Sequence, residues 1–164
     1  MYNTLLGDNQ DHFLDLKEGV LDFANSSIKP LEELTTATYD LVSAGIAQED
    51  QLKALQNAEK LSVAGLGSVS ESVDLITSSI NAFGVSSDQA MGQLFTAVKN
   101  GKTTVSELAQ GFGGVAATAK DMGLQYQELL SITAAGTTTG KKASQVYTEQ
   151  KAILSSLLKP TKEM

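Results

Sequence analysis

The sequence predicts an all-α fold, built as an array or bundle of about eight short antiparallel helices. The first observation is spacing, because apolar residues recur three and four positions apart along most of the chain, as in amphipathic helices. The second is that Pro30 and Pro160 are the only prolines, so little interrupts a helix between them. The third is that the polar and glycine-containing stretches between the apolar runs are short, which favours antiparallel neighbours.

Capping residues indicate where the helices begin and end. Ser68 and Glu71 have the spacing of a capping box, and so do Thr104 and Glu107. The glycine in KNGK, at 99–102, is typical of a C-terminal helix stop. The helices predicted in this way are 10–26, 31–44, 48–64, 69–82, 87–99, 105–121, 126–135 and 143–158.

Three glycines mark a repeat along the chain. Gly45, Gly84 and Gly123 are spaced 39 residues apart, and each follows a predicted helix and precedes one aliphatic residue. Glycine adopts the left-handed conformation that ends a helix at low cost, and the aliphatic residue then folds back on the last turn. We therefore predict three loosely repeated helix–turn–helix units. A solenoid-like stack and a plain bundle both fit them, and the loosely repetitive array is favoured.

The stretch AAGTTTGKKAS, at 134–144, is either a phosphate-binding loop or a bend between helices. A phosphate-binding loop needs four residues between its glycines, a Ser or Thr after its lysine, and a preceding strand. Here three residues separate Gly136 from Gly140, Lys142 occupies the Ser/Thr position, and the preceding residues are typical of a helix. We interpret Gly136 and Gly140 as further helix-ending turns, and we predict no cofactor-binding site.

Small residues recur at a four-residue spacing in the predicted helix 105–121. Ala109, Gly113 and Ala117 would share one face of that helix. A face of small residues allows two helices to approach closely. We interpret it as a packing face within the domain, with a self-association face or a helix that meets a membrane as the alternative.

Composition and charge argue against several classes of function. The formal net charge is −7, which is unsuited to binding nucleic acid through its phosphates. Cysteine is absent, and the single histidine, His12, lies beside Asp11 and Asp15, where we interpret it as an exposed residue near a helix start. No apolar run approaches the ~18 residues of a membrane span. The sequence predicts a protein that is not an enzyme and has no catalytic, cofactor-binding or metal site.

The stretch 52–160 resembles the core region of phage tail tape-measure proteins of the TP901 type. The resemblance covers about two thirds of the chain, and Gln125 departs from it by standing where the family usually has a capping serine. Because the motifs are built from common small residues, their order and spacing carry the resemblance. They are the Ala-Phe-Gly helix end at 82–84, the helix start TVSEL at 104–108, the helix end AKDMG at 119–123, and the glycine turn at Gly136 and Gly140.

The resemblance implies a structural function inside a phage tail. Tape-measure proteins set tail length during tail assembly and are released ahead of the DNA at ejection. A helix rises 1.5 Å per residue, so the number of residues in an extended helical protein can set the length of the tail. The implied partners are the tail-tube protein, tail assembly chaperones and other copies of the same protein, with no direct nucleic-acid binding. Membrane contact would come only from other parts of the parent chain. The implied location is the lumen of the virion tail, and the host cytoplasm during assembly.

The expected organisation is an N-terminal helix at 1–29 that flanks the core, a helical tape-measure core domain at 30–160, and a tail at 161–164. A chain of 164 residues is too short for a complete ruler, so we expect a fragment of a longer phage or prophage protein. The alternative function is a helical-repeat protein-binding module of a bacterial scaffold or surface protein.

Overall fold

The computed structural model describes residues 10–158 of the chain. Within these residues it contains nine α-helices, one short 3-10 helix (Gln48–Asp50) and no strand, which confirms the predicted all-α fold. Pro160 and the predicted tail 161–164 lie outside the described residues. The helices are α1 (Gln10–Ser26), α2 (Leu31–Ser43), α3 (Gln51–Ala64), α4 (Val69–Phe83), α5 (Ser87–Asn100), α6 (Val105–Ala109), α7 (Phe112–Asp121), α8 (Tyr126–Thr138) and α9 (Ala143–Leu158).

Side-chain caps begin the helices at the centre of the chain. The hydroxyl of Ser68 accepts the amide of Glu71 at 3.1 Å, and the Glu71 carboxylate accepts the amide of Ser68 at 2.8 Å. Ser86 and Gln89 make the same reciprocal pair at the start of α5. Thr104 caps α6 with its hydroxyl. These bonds satisfy amides that have no partner within a helix, so they determine where each helix begins.

The helices lie in two rows. In the first row α4 contacts α2 and α7, and α7 contacts α9. In the second row α3 contacts α1 and α5, and α5 contacts α8. Along the chain α2, α4 and α7 are each followed by a second-row partner, namely α3, α5 and α8, and substantial contacts join only neighbours in the array. This arrangement favours the solenoid-like stack over the plain bundle.

A period of 39 residues runs through the buried positions of both rows. In the first row, Ala37, Ile76, Val115 and Leu154 follow one another at this interval, and all four are buried. In the second row, Leu55, Leu94 and Thr133 do the same. Each unit therefore presents the same positions to the core.

The period also includes the two terminal helices. Moved back by one period, α3 falls on 12–25, within α1. Moved forward by one period, the end of α7 falls two residues beyond the last residue of α9. The described chain is therefore three helix pairs with an additional second-row helix before them and an additional first-row helix after them. Since α1 contributes Leu16 and Val20 to the core, the described part of the stretch 1–29 packs with the rest.

The predicted helix 105–121 is two helices, so that prediction was wrong. Gln110 is extended, with ψ 91°, and Gly111 has φ 94°, which breaks the helical hydrogen-bond ladder between α6 and α7. The hydroxyl of Tyr147 in α9 donates to the carbonyl oxygen of Leu108 at 3.2 Å. A partner distant in sequence thus satisfies a carbonyl at the end of α6 that a continuous helix would have satisfied itself.

Candidate functional site

The first-row helices α2, α4 and α7 are each followed by a glycine turn. Gly84 ends α4 in the left-handed region, with φ 67° and ψ 21°, and its amide donates to the carbonyl oxygen of Ile80 at 2.8 Å. Gly45 and Gly123 have φ values of 74° and 77°. A β-carbon added at any of these three glycines would meet nothing within 4 Å. The backbone conformation, and not the space around it, therefore favours glycine here.

Beyond two of these glycines the chain folds back on the helix it has left. The amide of Ile46 donates to the carbonyl oxygen of Leu41 at 3.3 Å, and the amide of Leu124 donates to that of Ala119 at 3.0 Å. This six-residue hydrogen bond is the one found in the Schellman motif. It directs the chain from a first-row helix into its second-row partner.

Gly140 and Gly136 have different roles. Gly140 has φ 92° and follows α8, whereas Gly136 lies inside α8, so the prediction of a helix-ending turn at Gly136 was wrong. A β-carbon added at Gly136 would lie 2.8 Å from both γ-carbons of Val146 in α9. Gly136 comes 39 residues after Ala97, which is buried in α5. It is therefore the small residue at a close crossing of two helices.

The predicted packing face of small residues is not a single face. Ala109 belongs to α6, whereas Gly113 and Ala117 belong to α7. Gly113 and Ala117 are exposed and line a shallow cleft beside α4. The residues that α7 buries are Phe112, Val115, Ala116 and Ala119. The prediction was wrong because the bend at Gly111 rotates α7 relative to the register of α6.

Hydrogen bonds at the start of α4 join three helices. The Glu71 carboxylate accepts the hydroxyl of Ser106 in α6 at 2.7 Å, in addition to the amide and hydroxyl of Ser68. The carboxylate of Glu33 in α2 accepts the amide of Val69 at 2.8 Å. The backbone bond from Ser68 and the side-chain bonds from Ser106 and Ser68 lower the pKa of Glu71, against a smaller opposing effect of burial.

The carboxylate of Asp74 in α4 lies in surroundings that disfavour its ionised form. Burial raises the pKa of Asp74 above its usual range, and the negative charges of Asp40 and Glu71 raise it further. Asp40 belongs to α2, so this repulsion acts between two adjacent first-row helices.

Two tyrosine hydroxyls link helices inside the core. Tyr126 in α8 donates to the carbonyl oxygen of Ala90 in α5 at 3.1 Å, and Tyr147 donates to Leu108. Burial raises the pKa of both hydroxyls above their usual range, so both remain neutral donors. Sequence reasoning did not identify either residue. The signal was a polar-tipped aromatic residue on the apolar stripe of a helix.

An apolar groove of about 260 Å³ lies between α1 and α2. Its exposed apolar lining residues are Leu21 and Leu31, at 42% and 44%. The sequence did not predict this groove. Leucines at a helical spacing indicate an apolar face on a helix, but they do not indicate whether another helix covers that face. The lining residues are Leu16, Lys17, Val20, Leu21, Leu31, Thr35 and Thr38.

A second apolar surface lies near the end of α9. Ile153 and Leu157 are 61% and 68% exposed, although Leu154 between them is buried. The two residues lie four positions apart, so they share one side of the helix. This exposed pair and the groove lie on helices at opposite ends of the array.

Other chemistry is limited within residues 10–158. No group of three His, Cys, Asp or Glu residues among those described could hold a metal ion. The side chain of His12 lies outside the described side chains. None of the helices in this part of the chain is long and apolar enough to cross a membrane. The arrangement offers apolar docking surfaces and helix-ending turns.

Comparisons with known proteins identify the family. A family model described as "Phage-related minor tail protein" matches residues 17–164. A tape measure protein of Pneumococcus phage Dp-1 is 28% identical over an alignment of 164 positions, which covers 98% of this chain and 14% of that protein. The chain therefore spans a small part of the length of that relative. No solved structure matches.

The similarity extends along nearly the whole chain and confirms the resemblance to tape-measure proteins that the sequence motifs predicted. The family is one of structural phage tail proteins, which places the chain in the virion tail. The chain belongs to the phage-related minor tail protein family, as a segment of the tape-measure type.

Proposed function

We propose that this chain is a structural domain of a tail tape-measure protein, which sets tail length during assembly and is released ahead of the DNA at ejection. The observation that carries the proposal is the similarity of 98% of the chain to part of a tape measure protein. The all-helical sequence supplies a physical basis. One 39-residue unit drawn out as a single helix spans about 58 Å, at 1.5 Å per residue.

The proposed partners are the tail-tube protein, tail assembly chaperones and other copies of the same protein. The apolar groove between α1 and α2 and the exposed pair on α9 are surfaces for such contacts. A net charge of −7 supports the view that the chain does not bind nucleic acid directly. The proposed location is the lumen of the virion tail, and the host cytoplasm during assembly. Any membrane contact belongs to other parts of the parent chain, and the proposed role includes no catalysis.

The row architecture is compatible with departure through a narrow tube. In an array whose units contact mainly their neighbours, one unit can open without breaking contacts across the whole domain. The core supports this property, since it is built mainly from small and medium-sized aliphatic side chains and includes few aromatic residues. We infer that the units are stable when folded and that they can unfold one after another along the chain.

The test removes one unit from the parent gene and measures tail length by electron microscopy. Deleting 46–84 removes 39 residues and joins Gly45 to Val85, which preserves a glycine followed by an aliphatic residue. If the protein is the ruler and is extended in the tail, the tail shortens by about 58 Å. The substitution Gly92→Ala in the same gene is the control, and it should leave the length unchanged.

Two other outcomes have distinct meanings. A shortening of only about 10 Å, near the spacing between packed helices, would mean that the protein is the ruler but that this array stays folded in the tail. An unchanged length would contradict the proposed function. The alternative, a helical-repeat protein-binding module, would then become the better explanation, since the apolar groove between α1 and α2 favours it.

A further inference from the structure

Asn100 and Gly101 form the junction at the end of α5. Asn100 is the last residue of the helix, and its side chain is exposed. Gly101 follows in an extended conformation, with φ −92° and ψ 174°, so the helix stops between these two residues. Asn100 also lines a shallow cleft of about 180 Å³ between α5 and α8, and its side-chain amide is therefore open to water.

Packing against α8 requires a glycine at position 101. A β-carbon added there would lie 2.7 Å from the hydroxyl oxygen of Thr137, 2.8 Å from the carbonyl oxygen of Ala97 and 3.2 Å from the α-carbon of Ala134. Two of these are backbone atoms, which cannot rotate away as a flexible side chain could. The next amide, that of Lys102, donates to the hydroxyl of Thr137 at 3.2 Å and holds the turn close to α8. The fold therefore preserves an Asn–Gly pair at an exposed turn.

An asparagine followed by glycine can cyclise without any catalyst. The backbone nitrogen of the glycine, once it has lost its proton, attacks the side-chain carbonyl carbon (Cγ) of the asparagine. A bond forms between this nitrogen and Cγ, the bond between Cγ and Nδ2 breaks, and ammonia leaves. Water then opens the resulting succinimide ring at either of its two carbonyl groups, which gives aspartate or isoaspartate. Glycine favours the reaction because it has no side chain to hinder the attacking nitrogen.

The attacking nitrogen is protected by a single hydrogen bond at the end of a helix. The amide of Gly101 donates to the carbonyl oxygen of Ala97 at 2.8 Å, and this is the last bond of the α5 ladder. Terminal turns of helices fray, at a free-energy cost far below that of unfolding the whole domain. Opening this one turn frees both the nitrogen of Gly101 and the backbone of Asn100, so the reaction does not require the array to unfold.

The other asparagines in the described part of the chain are held in ways that oppose the same reaction. Asn25, Asn57 and Asn81 are each followed by a residue that has a side chain and still belongs to the same helix. Asn57 is in addition buried, with 1% exposure, and its side-chain amide donates two hydrogen bonds. Asn100 is the only asparagine in the sequence that is followed by glycine. Both the sequence and the fold therefore single out Asn100.

We propose that Asn100 is a site of spontaneous deamidation, with water as the only co-reactant, and that it converts before the other asparagines of the chain. The conversion places a carboxylate at the C-terminal end of α5, where the helix dipole disfavours negative charge. Isoaspartate also adds one carbon atom to the backbone, beside the close contact of Gly101 with α8. Both changes weaken the contact between α5 and α8. The inference is independent of the proposed role in tail length.

The test is incubation of the purified, folded 164-residue chain at mildly alkaline pH, followed by mass spectrometry of its peptides. The peptide that contains Asn100 should gain the mass difference between an amide and an acid, and enzymatic methylation should detect isoaspartate in it. The rate should rise with pH, because the attacking nitrogen must lose its proton. Over the same period the peptides that contain Asn25, Asn57 and Asn81 should stay unchanged. An Asn100 that remains intact, or that converts no faster than these three, would overturn the proposal.

Asn100→Gln is the matched variant. It keeps an exposed side-chain amide, but its longer side chain would have to close a six-membered ring, which forms much more slowly. Incubation should lower the urea midpoint of the original chain and leave that of the variant unchanged. An equal loss of stability in the variant, or a converted chain with an unchanged midpoint, would contradict the proposal. Before incubation the helical circular dichroism of the two chains should match, since the substituted side chain is exposed.

Discussion

The hydroxyl of Tyr126 lies 3.0 Å from the hydroxyl oxygen of Ser79, a residue 47 positions earlier in the chain. The same tyrosine hydroxyl donates to the carbonyl oxygen of Ala90 at 3.1 Å. These contacts join α8 to both helices of the preceding unit. A single polar group thereby connects two adjacent units inside the core.

Tyr126→Phe should therefore weaken the coupling between units. It removes this donor from the Ala90 carbonyl inside the core, at a cost of about 0.5–1.5 kcal/mol in the free energy of unfolding. Urea unfolding followed by circular dichroism measures this difference. Ser156→Ala is a control that removes an exposed hydroxyl bonded only within its own helix, and it should have little effect. Equal stability of Tyr126→Phe and the original chain would contradict the structural role of the hydroxyl.

Gly84→Val should destabilise the chain by more than about 1 kcal/mol, because a β-branched residue resists the positive φ that ends α4. Thermal or urea unfolding gives the difference. The matched control is Gly92→Val inside α5. There an added β-carbon also meets nothing within 4 Å but φ is not positive, so we expect a near-neutral or slightly stabilising change. An unchanged midpoint for Gly84→Val would show that the left-handed turn is not required.

Gly136→Ala tests the close crossing of α8 and α9. Alanine favours a helix over glycine by about 1 kcal/mol, but overpacking in a filled interface costs about 1–3 kcal/mol. Because the stiff, buried side chain of Val146 lies 2.8 Å from the added carbon, we expect net destabilisation. In the background Val146→Ala the same substitution should instead stabilise. Stabilisation in both backgrounds would mean that the contact between α8 and α9 accommodates the added β-carbon without strain.

Asp74→Asn should raise the free energy of unfolding at pH 7. The folded pKa of Asp74 is raised above its ordinary value of 3.8, so the ionised carboxylate opposes folding above the folded pKa. As the pH falls through the folded pKa and below 3.8, both states become protonated and the advantage of asparagine should vanish. Unfolding measured at neutral pH and near pH 3 tests this. An advantage that is the same at both pH values would point to packing and not to charge.

Glu71→Gln should lower the free energy of unfolding at neutral pH, the opposite of the effect of Asp74→Asn. The folded pKa of Glu71 is lowered below its ordinary value of 4.5, so its carboxylate stabilises the fold above that value. The stability is lost as the pH falls through the lowered folded pKa, and the two chains should converge there. At neutral pH the variant should be less stable, with the start of α4 affected first. A variant of equal stability at neutral pH would show that Glu71 acts only as a neutral acceptor.

Local features of the fold were predictable from the sequence because they depend on residues three or four positions apart. The capping box at Ser68, the hydroxyl cap at Thr104 and the stripes of apolar residues are of this kind. The 39-residue period was also visible, since Gly45, Gly84 and Gly123 occupy corresponding turns. These signals were sufficient to predict an all-α chain with repeated units, and the motifs around them were sufficient to indicate its family.

Other features depended on contacts between residues distant in sequence. Gly136 and Gly140 look alike in the sequence, yet only Gly140 ends a helix, because Val146 packs against Gly136. The bend at Gly111 turned an apparent packing face, Gly113 and Ala117, towards the surface. The sequence by itself determined most of the helices, the turns at Gly45, Gly84 and Gly123, and their period, since those follow from local hydrogen bonds and backbone preferences. The tertiary structure alone decided which apolar faces are covered, since burial depends on which helices meet.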